Sequence, residues 1–274
     1  MTKPNPQLSI IIPTKNEQKN IERCLKSLKA QNYPQDKFEI IIVDNHSKDK
    51  TVSIAKKYTD KVYTHGNERS AQRNYGARHA RGRYLFFCDA DMQLPPPTAG
   101  EVVKLLNNKK TIVSVREMGA GKGFWGEVLS LERSCYLNEK DIHAARGFPK
   151  RLFNKVGGYD ERMYAGEDWD LTLRCKAAKA GLLVTETTLS HHEKAKSIRE
   201  IIKKDHYYVG NIHLFAQKHP KVFKKYASLR YRGWLFIKNY KNLLKKPIHT
   251  AALIAYKLLI HLYSRPHWKK NSVH

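Results

Sequence analysis

Three short apolar runs constrain the fold of this chain more than any other feature: Leu8–Ile12, Phe38–Val43 and Tyr84–Cys88. None alternates polar with apolar residues, so each reads as a strand covered on both faces. Segments with helical spacing separate them. Asn16–Gln31 carries Ile21, Leu25 and Leu28, Val52–Tyr58 follows the second run, and Ser70–Arg81 precedes the third. Lys61–Tyr63 reads as a further short strand. Buried strands alternating with helices predict an α/β architecture built on a parallel sheet. Beyond Pro95-Pro96-Pro97 the reading is helix over Thr98–Asn108, strand over Thr111–Val115 and helix over Glu127–Glu139. An irregular strand region, His143–Tyr159, then precedes a helix over Gly166–Ala180 and a strand over Leu182–Thr187. Gly119–Gly126, with four glycines in eight residues, reads as a mobile loop.

Composition narrows the function classes. The 274 residues suffice for one large domain with a real core, and a mean hydropathy of −0.62 argues against a polytopic membrane protein. The longest apolar stretch, Ile248–Tyr263, is broken by Lys257. As a helix it would reach about 24 Å, short of a hydrocarbon core about 30 Å thick. The apolar run after Met1–Gln7 is ended by Pro13 and is too short for an h-region, so no secretory leader is expected. Cys24, Cys88, Cys135 and Cys175 are far apart in sequence, which favours a reducing, cytoplasmic setting over a disulfide framework.

The net charge of +26 is unevenly spread. Residues 194–274 hold 19 Lys and Arg against 2 Asp and Glu, together with 12 of the 28 aromatic residues. A boundary near residue 195 follows, and an anionic partner is expected for the tail. Within Ile248–Tyr263, Thr250, Lys257 and His261 share a narrow polar stripe, which fits an interfacial helix or one packed on the domain.

Four clusters can carry chemistry. Asp89-Ala90-Asp91 closes the run Tyr84–Cys88, and two carboxylates two residues apart at a strand end can point the same way. Their oxygens suit Mg²⁺ or Mn²⁺, although a solvated turn looks the same in isolation. Gly166-Glu167-Asp168-Trp169-Asp170 opens a helix, where acids complement the dipole; three in four residues exceed what capping needs, and one can serve as a general base. Arg69 and Arg73 lie four apart and share a helix face suited to phosphates, or to solvent. His191-His192-Glu193 lacks zincin spacing but offers an imidazole to a carboxylate metal site. Gly119-Ala120-Gly121-Lys122-Gly123 has neither the glycine spacing nor the hydroxyl residue of a P-loop.

In this order the segments resemble a family 2 glycosyltransferase. The likeness is carried by Ser9-Ile10-Ile11-Ile12-Pro13-Thr14-Lys15-Asn16-Glu17, Ile41-Ile42-Val43-Asp44-Asn45-His46-Ser47-Lys48-Asp49, Arg73-Asn74-x-Gly76-Ala77, Cys88-Asp89-Ala90-Asp91-Met92 and Gly166-Glu167-Asp168. It covers residues 8–195, and five motifs in order are specific where one alone is not. The resemblance implies a GT-A fold over 1–195, with a nucleotide-sugar-binding half over 1–110 and an acceptor half over 111–195. Residues 196–274 would form a basic helical extension. It further implies an inverting, metal-dependent transferase that takes a nucleoside-diphosphate-sugar as donor. Carried over by position, Pro13, Asn16, Glu17, Asp44 and Asn45 would line the nucleotide pocket, and Arg73 would approach the base or the diphosphate. Asp91 would be the main metal ligand, Asp89 would contact ribose or metal, and His191 would add a late contact. Asp168 would be the catalytic base, with Glu167 the second choice. Apart from the resemblance, Phe124 and Trp125 in the glycine-rich stretch fit a lid or sugar platform, or equally core aromatics after a flexible turn.

Many relatives carry two adjacent acids where this chain has Asp44-Asn45. An amide both donates and accepts, so guanosine and deoxythymidine donors stay open beside uridine. A glycan or lipid-linked acceptor at an anionic membrane surface, reached from the cytoplasmic side, accounts for the tail. A nucleic-acid-binding protein would also account for +26 and interleaved aromatics, but it leaves Asp89, Asp91, Glu167 and Asp168 repelling phosphate. No nucleic-acid partner is therefore expected. An idle adaptor that keeps the fold has no use for the same acids.

Overall fold

The structure, a computed structural model, describes residues 6–108, 110–139, 142–192 and 197–270, with the side chains of 263–270 left out. The predicted alternation is present: β1 (Leu8–Thr14), α1 (Ile21–Lys29), β2 (Phe38–Asp44), α2 (Thr51–Ala55), β3 (Val62–Thr64), α3 (Arg69–His79) and β4 (Tyr84–Phe87). Strand β1 pairs in parallel with β2 and β4, and β2 pairs in parallel with β3. The register sets Thr14 opposite Asp44, and Asp44 opposite Thr64, so these strands end along one edge.

Both faces of the strands are buried, as unbroken apolar runs require. Leu8, Ile10, Ile12, Ile40, Ile42 and Phe86 face one layer with α1, α2 and residues of a later helix. Ile11, Ile41, Val43, Leu85 and Phe87 face the other, with Ala77 of α3. The approach of α3 to the sheet is close. A Cβ on Gly76 would lie 2.5 Å from Cγ2 of Ile11. Gly76→Ala should therefore cost about 1–3 kcal/mol by overpacking, outweighing the roughly 1 kcal/mol that alanine gains in a helix. Urea unfolding checks this, and a more stable variant would show that the gap accepts a methyl.

The chain continues through β5 (Met92–Gln93), α4 (Thr98–Leu106), β6 (Thr111–Gly119), α5 (Gly123–Ser134), β7 (Gly147–Pro149), α6 (Lys150–Lys155), α7 (Glu167–Ala177) and β8 (Gly181–His191). Among the described residues the strands form one sheet, ordered β3-β2-β1-β4-β7-β6-β8-β5. It is mixed, not purely parallel, because β7 runs antiparallel to β4 and β6.

Three local readings are corrected. The first helix starts at Ile21, not Asn16, because Asn16 holds a left-handed φ of +53° and its loop is bonded to the loop after β2. Helix α6 occupies part of the supposed irregular strand region. Six residues are too few to display an apolar period, and Phe153 nevertheless packs 5.3 Å from Phe87. The glycine-rich stretch is not a loop throughout: Gly119 ends β6 and Gly123–Gly126 lies in α5. A Cβ on Gly121 would meet Cα of Gly126 at 2.8 Å, so these glycines permit backbone-to-backbone packing.

Beyond β8 come α8 (Ile198–Asn211), α9 (His213–Lys218), α10 (Pro220–Ala227), α11 (Leu229–Lys238), α12 (Tyr240–Leu244) and α13 (Pro247–Lys270). The chain divides into two compact units. One comprises Met1–Arg116, His143–Arg162 and Glu167–Ser190; the other comprises Glu117–Ile142, Met163–Gly166 and His191–His274. Glu117–Ile142 thus groups with the basic tail, although the composition shifts near residue 195. The reason is packing: α5 supplies Val128 and Leu131 to a core completed by Ile201 of α8 and by Leu253 and Tyr256 of α13. Trp125 packs against this core and Phe124 rests 4.8 Å from the His249 ring. Among the described residues no helix is long and apolar enough to cross a membrane.

Candidate active site

The loops after the parallel strands are stitched to one another. Asn16 donates its N–H to Ser47 Oγ at 2.7 Å, and its Oδ1 accepts the Lys48 N–H at 2.9 Å. Glu17 donates its N–H to Thr51 Oγ1 at 2.7 Å. Asp44 is buried at the end of β2 and accepts from Thr14 Oγ1, from Ser47 N–H and from Ser47 Oγ at 2.6–2.8 Å. Asn45 donates through Nδ2 to the Asn67 carbonyl at 2.9 Å. Pro13 is buried in β1 opposite Val43. The structure therefore brings Asn16, Glu17, Asp44 and Asn45 into one hydrogen-bonded rim, with Pro13 beneath it.

Helix α3 is fixed to that rim by a residue the sequence did not single out. Gln72, buried, donates from Nε2 to the carbonyls of Thr14 at 3.0 Å and Val43 at 2.5 Å. One position on, Arg73 is only 1% exposed and is the centre of the site. Its Nη2 donates to Asp89 Oδ1 at 2.8 Å, and its Nη1 donates to Asp168 Oδ1 at 2.8 Å and to Glu167 Oε1 at 3.4 Å. The guanidinium lies 5.1 Å from the centre of the buried Tyr159 ring. Arg69 shares the face, as the spacing predicts, and reaches Glu167 Oε1 at 3.2 Å. Arg146 Nη1 stands 3.2 Å from Asp89 Oδ2.

Three cations thus meet three acids gathered from the end of β4 and from α7. Burial works against the Arg73 charge, but Asp168, Tyr159, Asp89 and Glu167 outweigh it and hold its pKa well above the ordinary value. Burial and the neighbouring Asp168 charge raise the Glu167 pKa, with Arg69 and Arg73 acting the other way. Burial, then Asp168, also pushes the Tyr159 phenol up.

The three acids of α7 have separate tasks. Asp170 is fully buried and binds Arg174 one turn on, at 2.7 Å. Glu167 is buried between Arg69 and Arg73. Asp168 alone of the three combines the ion pair with a side chain 28% exposed, and its Oδ2 carries no hydrogen bond among the described residues. Geometrically it is the one that can take a proton from an incoming group.

Asp91 follows on the turn after Asp89 and is half-buried. His191 ends β8 with Nδ1 3.3 Å from Glu117 Oε2, which also lies 3.2 Å from Arg133. Glu193 lies outside the described residues. Among the described residues no group of three or more His, Cys, Asp or Glu is assembled to hold a metal ion. The donor set still fits a Mg²⁺-like ion, which takes one or two carboxylates and completes its shell with water and phosphate oxygens. Asp89 and Asp91 provide that oxygen-only pair.

The arrangement defines a class: an α/β sheet whose parallel strands end in a polar rim, a strand-end acid pair and a partly exposed acid one helix away. Comparison with known proteins gives that class its name. The family model described as glycosyl transferase family 2 matches residues 9–158, and the chain belongs to that family, with a GT-A fold. Glycosyltransferase AglE of Haloferax volcanii is 36% identical over 98 residues, 33% of this chain and 32% of that protein. The Pyrobaculum calidifontis mannosyltransferase PcManGT, solved with GDP-Man and Mn²⁺, matches with a TM-score of 0.63 at 19% identity, over 98% of this chain and 85% of that one. Residues 1–349 of S. aureus TarS, solved with UDP-GlcNAc, match with a TM-score of 0.55 at 19% identity, over 97% and 89%. The chain spans about a third or less of the length of the first curated relatives, 32% of AglE and 22% of the S. aureus transferase TarS.

Proposed function

We propose that this protein moves a sugar from a nucleoside-diphosphate-sugar to an acceptor hydroxyl, with inversion at the anomeric carbon and a divalent cation at Asp91 and Asp89. The observation that carries this reading is Arg73, which ties Asp89 at the acid pair to Asp168 at the start of α7.

The chemistry assigns each residue a task. Asn16, Glu17, Asp44 and Asn45, with Pro13 beneath, line the nucleotide. Asp91 and Asp89 would hold the cation, which when bound would supply positive charge against the diphosphate leaving group. Arg73 and Arg146 fix Asp89, so its oxygens keep one orientation. Asp168 accepts the acceptor proton through Oδ2, while Arg73, donating to Oδ1, keeps the carboxylate aimed. Glu167, buried and held by two arginines, is the lesser candidate for base. His191 stays a proposed late contact to cation or diphosphate. The acceptor is placed on a lipid-linked or surface glycan at the cytoplasmic face of an anionic membrane. The basic, aromatic residues 194–274 support that location.

Thermal unfolding against UDP, GDP, dTDP and CDP, with and without Mn²⁺, tests the reading. A ligand at 100 times its Kd adds about 2.7 kcal/mol. That is a shift of roughly 5–10 °C at about 2–4 °C per kcal/mol. One nucleotide should produce it in a metal-dependent way, and Asp91→Ala should abolish it. Indifference to all four nucleotides would overturn the donor site.

A further inference from the structure

Helix α13 is built inside out. Every exposed residue from Ile248 to Leu262 is apolar: Ile248, Ile254, Leu258, Leu259 and Leu262, with Ala251 and Ala255 between them. The five large ones are 45–73% exposed. Three polar residues within the described part of the same helix, His249, Thr250 and Lys257, are not exposed. Lys257 pairs with Glu132 at 2.7 Å, Thr250 donates to the Leu243 carbonyl at 2.7 Å, and His249 lies 3.6 Å from Glu127. A helix covering a water-soluble core shows the opposite distribution.

The preceding helices expose apolar side chains too, here together with Arg230, Lys238 and Lys241. Trp234, Ile237, Tyr240 and Leu244 of α11 and α12 are 50–73% exposed, and Lys241 and Lys245 stand exposed among them. Single exposed apolar side chains are ordinary, but contiguous rows rimmed by cations are not. Trp and Tyr beside Lys, with aliphatic side chains projecting past them, is the chemistry of a headgroup boundary.

We infer that the outward apolar rows of α11, α12 and α13 seat in the surface of an anionic bilayer, with Lys241 and Lys245 among the headgroups. The inference takes its purpose from the membrane-side acceptor proposed above, while the surface itself is defined by exposure and charge. A second copy of this chain is the poorer occupant, because it would bring two tails of net +17 face to face. The fifteen residues from Ile248 to Leu262 extend about 22 Å as a helix, so α13 lies along the boundary and does not cross it.

Co-sedimentation of the full chain with vesicles tests this without donor or acceptor. Wild type should bind mixed phosphatidylglycerol and phosphatidylcholine vesicles at low salt and leave pure phosphatidylcholine largely alone. Leu258→Glu with Leu262→Glu should lower binding at least about ten-fold. Lys241→Glu with Lys245→Glu should lower it about 30-fold or more, since each near-surface lysine is worth about five-fold. All four positions are exposed, so both variants should melt with wild type. Wild-type binding by the leucine variant overturns the inference. So does a wild type that is dimeric without lipid and becomes monomeric in that variant. Failure of the wild type to bind the anionic vesicles, with its metal-dependent nucleotide shift intact, would reject the docking surface and leave the transferase reading standing.

Discussion

Asp168→Asn should lower sugar-transfer turnover by about 10²–10⁴-fold, the usual worth of general-base assistance, with donor affinity nearly unchanged. The amide keeps an oxygen for Arg73 but cannot take a proton at the position of Oδ2. Donor affinity should be spared because the rim proposed for the nucleotide and the proposed cation ligand Asp91 are untouched. Glu167→Gln is the companion experiment. Glu167 is enclosed by Arg69 and Arg73, so its neutral isostere should transfer sugar within about ten-fold of wild type. Initial rates with saturating donor, beside calorimetric donor titrations, separate the two. Full turnover in Asp168→Asn, or a collapse confined to Glu167→Gln, would move the base to Glu167.

The second large effect is on stability. Arg73→Met removes the cation shared by Asp89, Asp168 and Glu167 and should destabilise the protein by about 3–5 kcal/mol. At about 2–4 °C per kcal/mol for a chain of this size, Tm should fall by roughly 6–20 °C. Asp89 retains Arg146 and Glu167 retains Arg69, so the carboxylate left most exposed to the loss is Asp168. Arg73→Lys restores charge but not the fork that reaches three acids, so it should recover part of the stability and little of the transfer. A loss under about 1 kcal/mol in Arg73→Met would mean that the cluster stabilises nothing in the folded chain.

Much of the fold is legible in the sequence because its central strands are buried on two faces. Leu8–Ile12 and Tyr84–Cys88 are almost wholly apolar, so little confuses their period. The reading weakens where local pattern carries less information. Helix α6 is six residues long, and the start of α1 is delayed by the left-handed turn at Asn16. The candidate acids are legible from spacing, but their organiser is not. Arg73 lies 16 residues from Asp89 and 95 from Asp168, so one side chain joining them can be seen only in three dimensions. Gln72, Arg146 and Tyr159 carry no sequence signal of their own that marks them as buried members of the site. In α13 the polar stripe is legible as a pattern, yet the pattern is silent on which side turns inward. The ion pair between Lys257 and Glu132 settles that side.

Shared polarity of β1, β2, β3 and β4 has a consequence for how such a chain can change. The loops that leave Thr14, Asp44, Thr64 and Phe87 all open on the edge that carries the rim, the acid pair and the start of α3. The turns that enter the same strands, such as the exposed Pro34-Gln35-Asp36, hang from the opposite edge. A peptide tag or reporter placed in that turn stays a strand's length from the proposed site, about 20 Å for six residues. Lineages and engineers alike can lengthen one border of this sheet while the other is held to its residues.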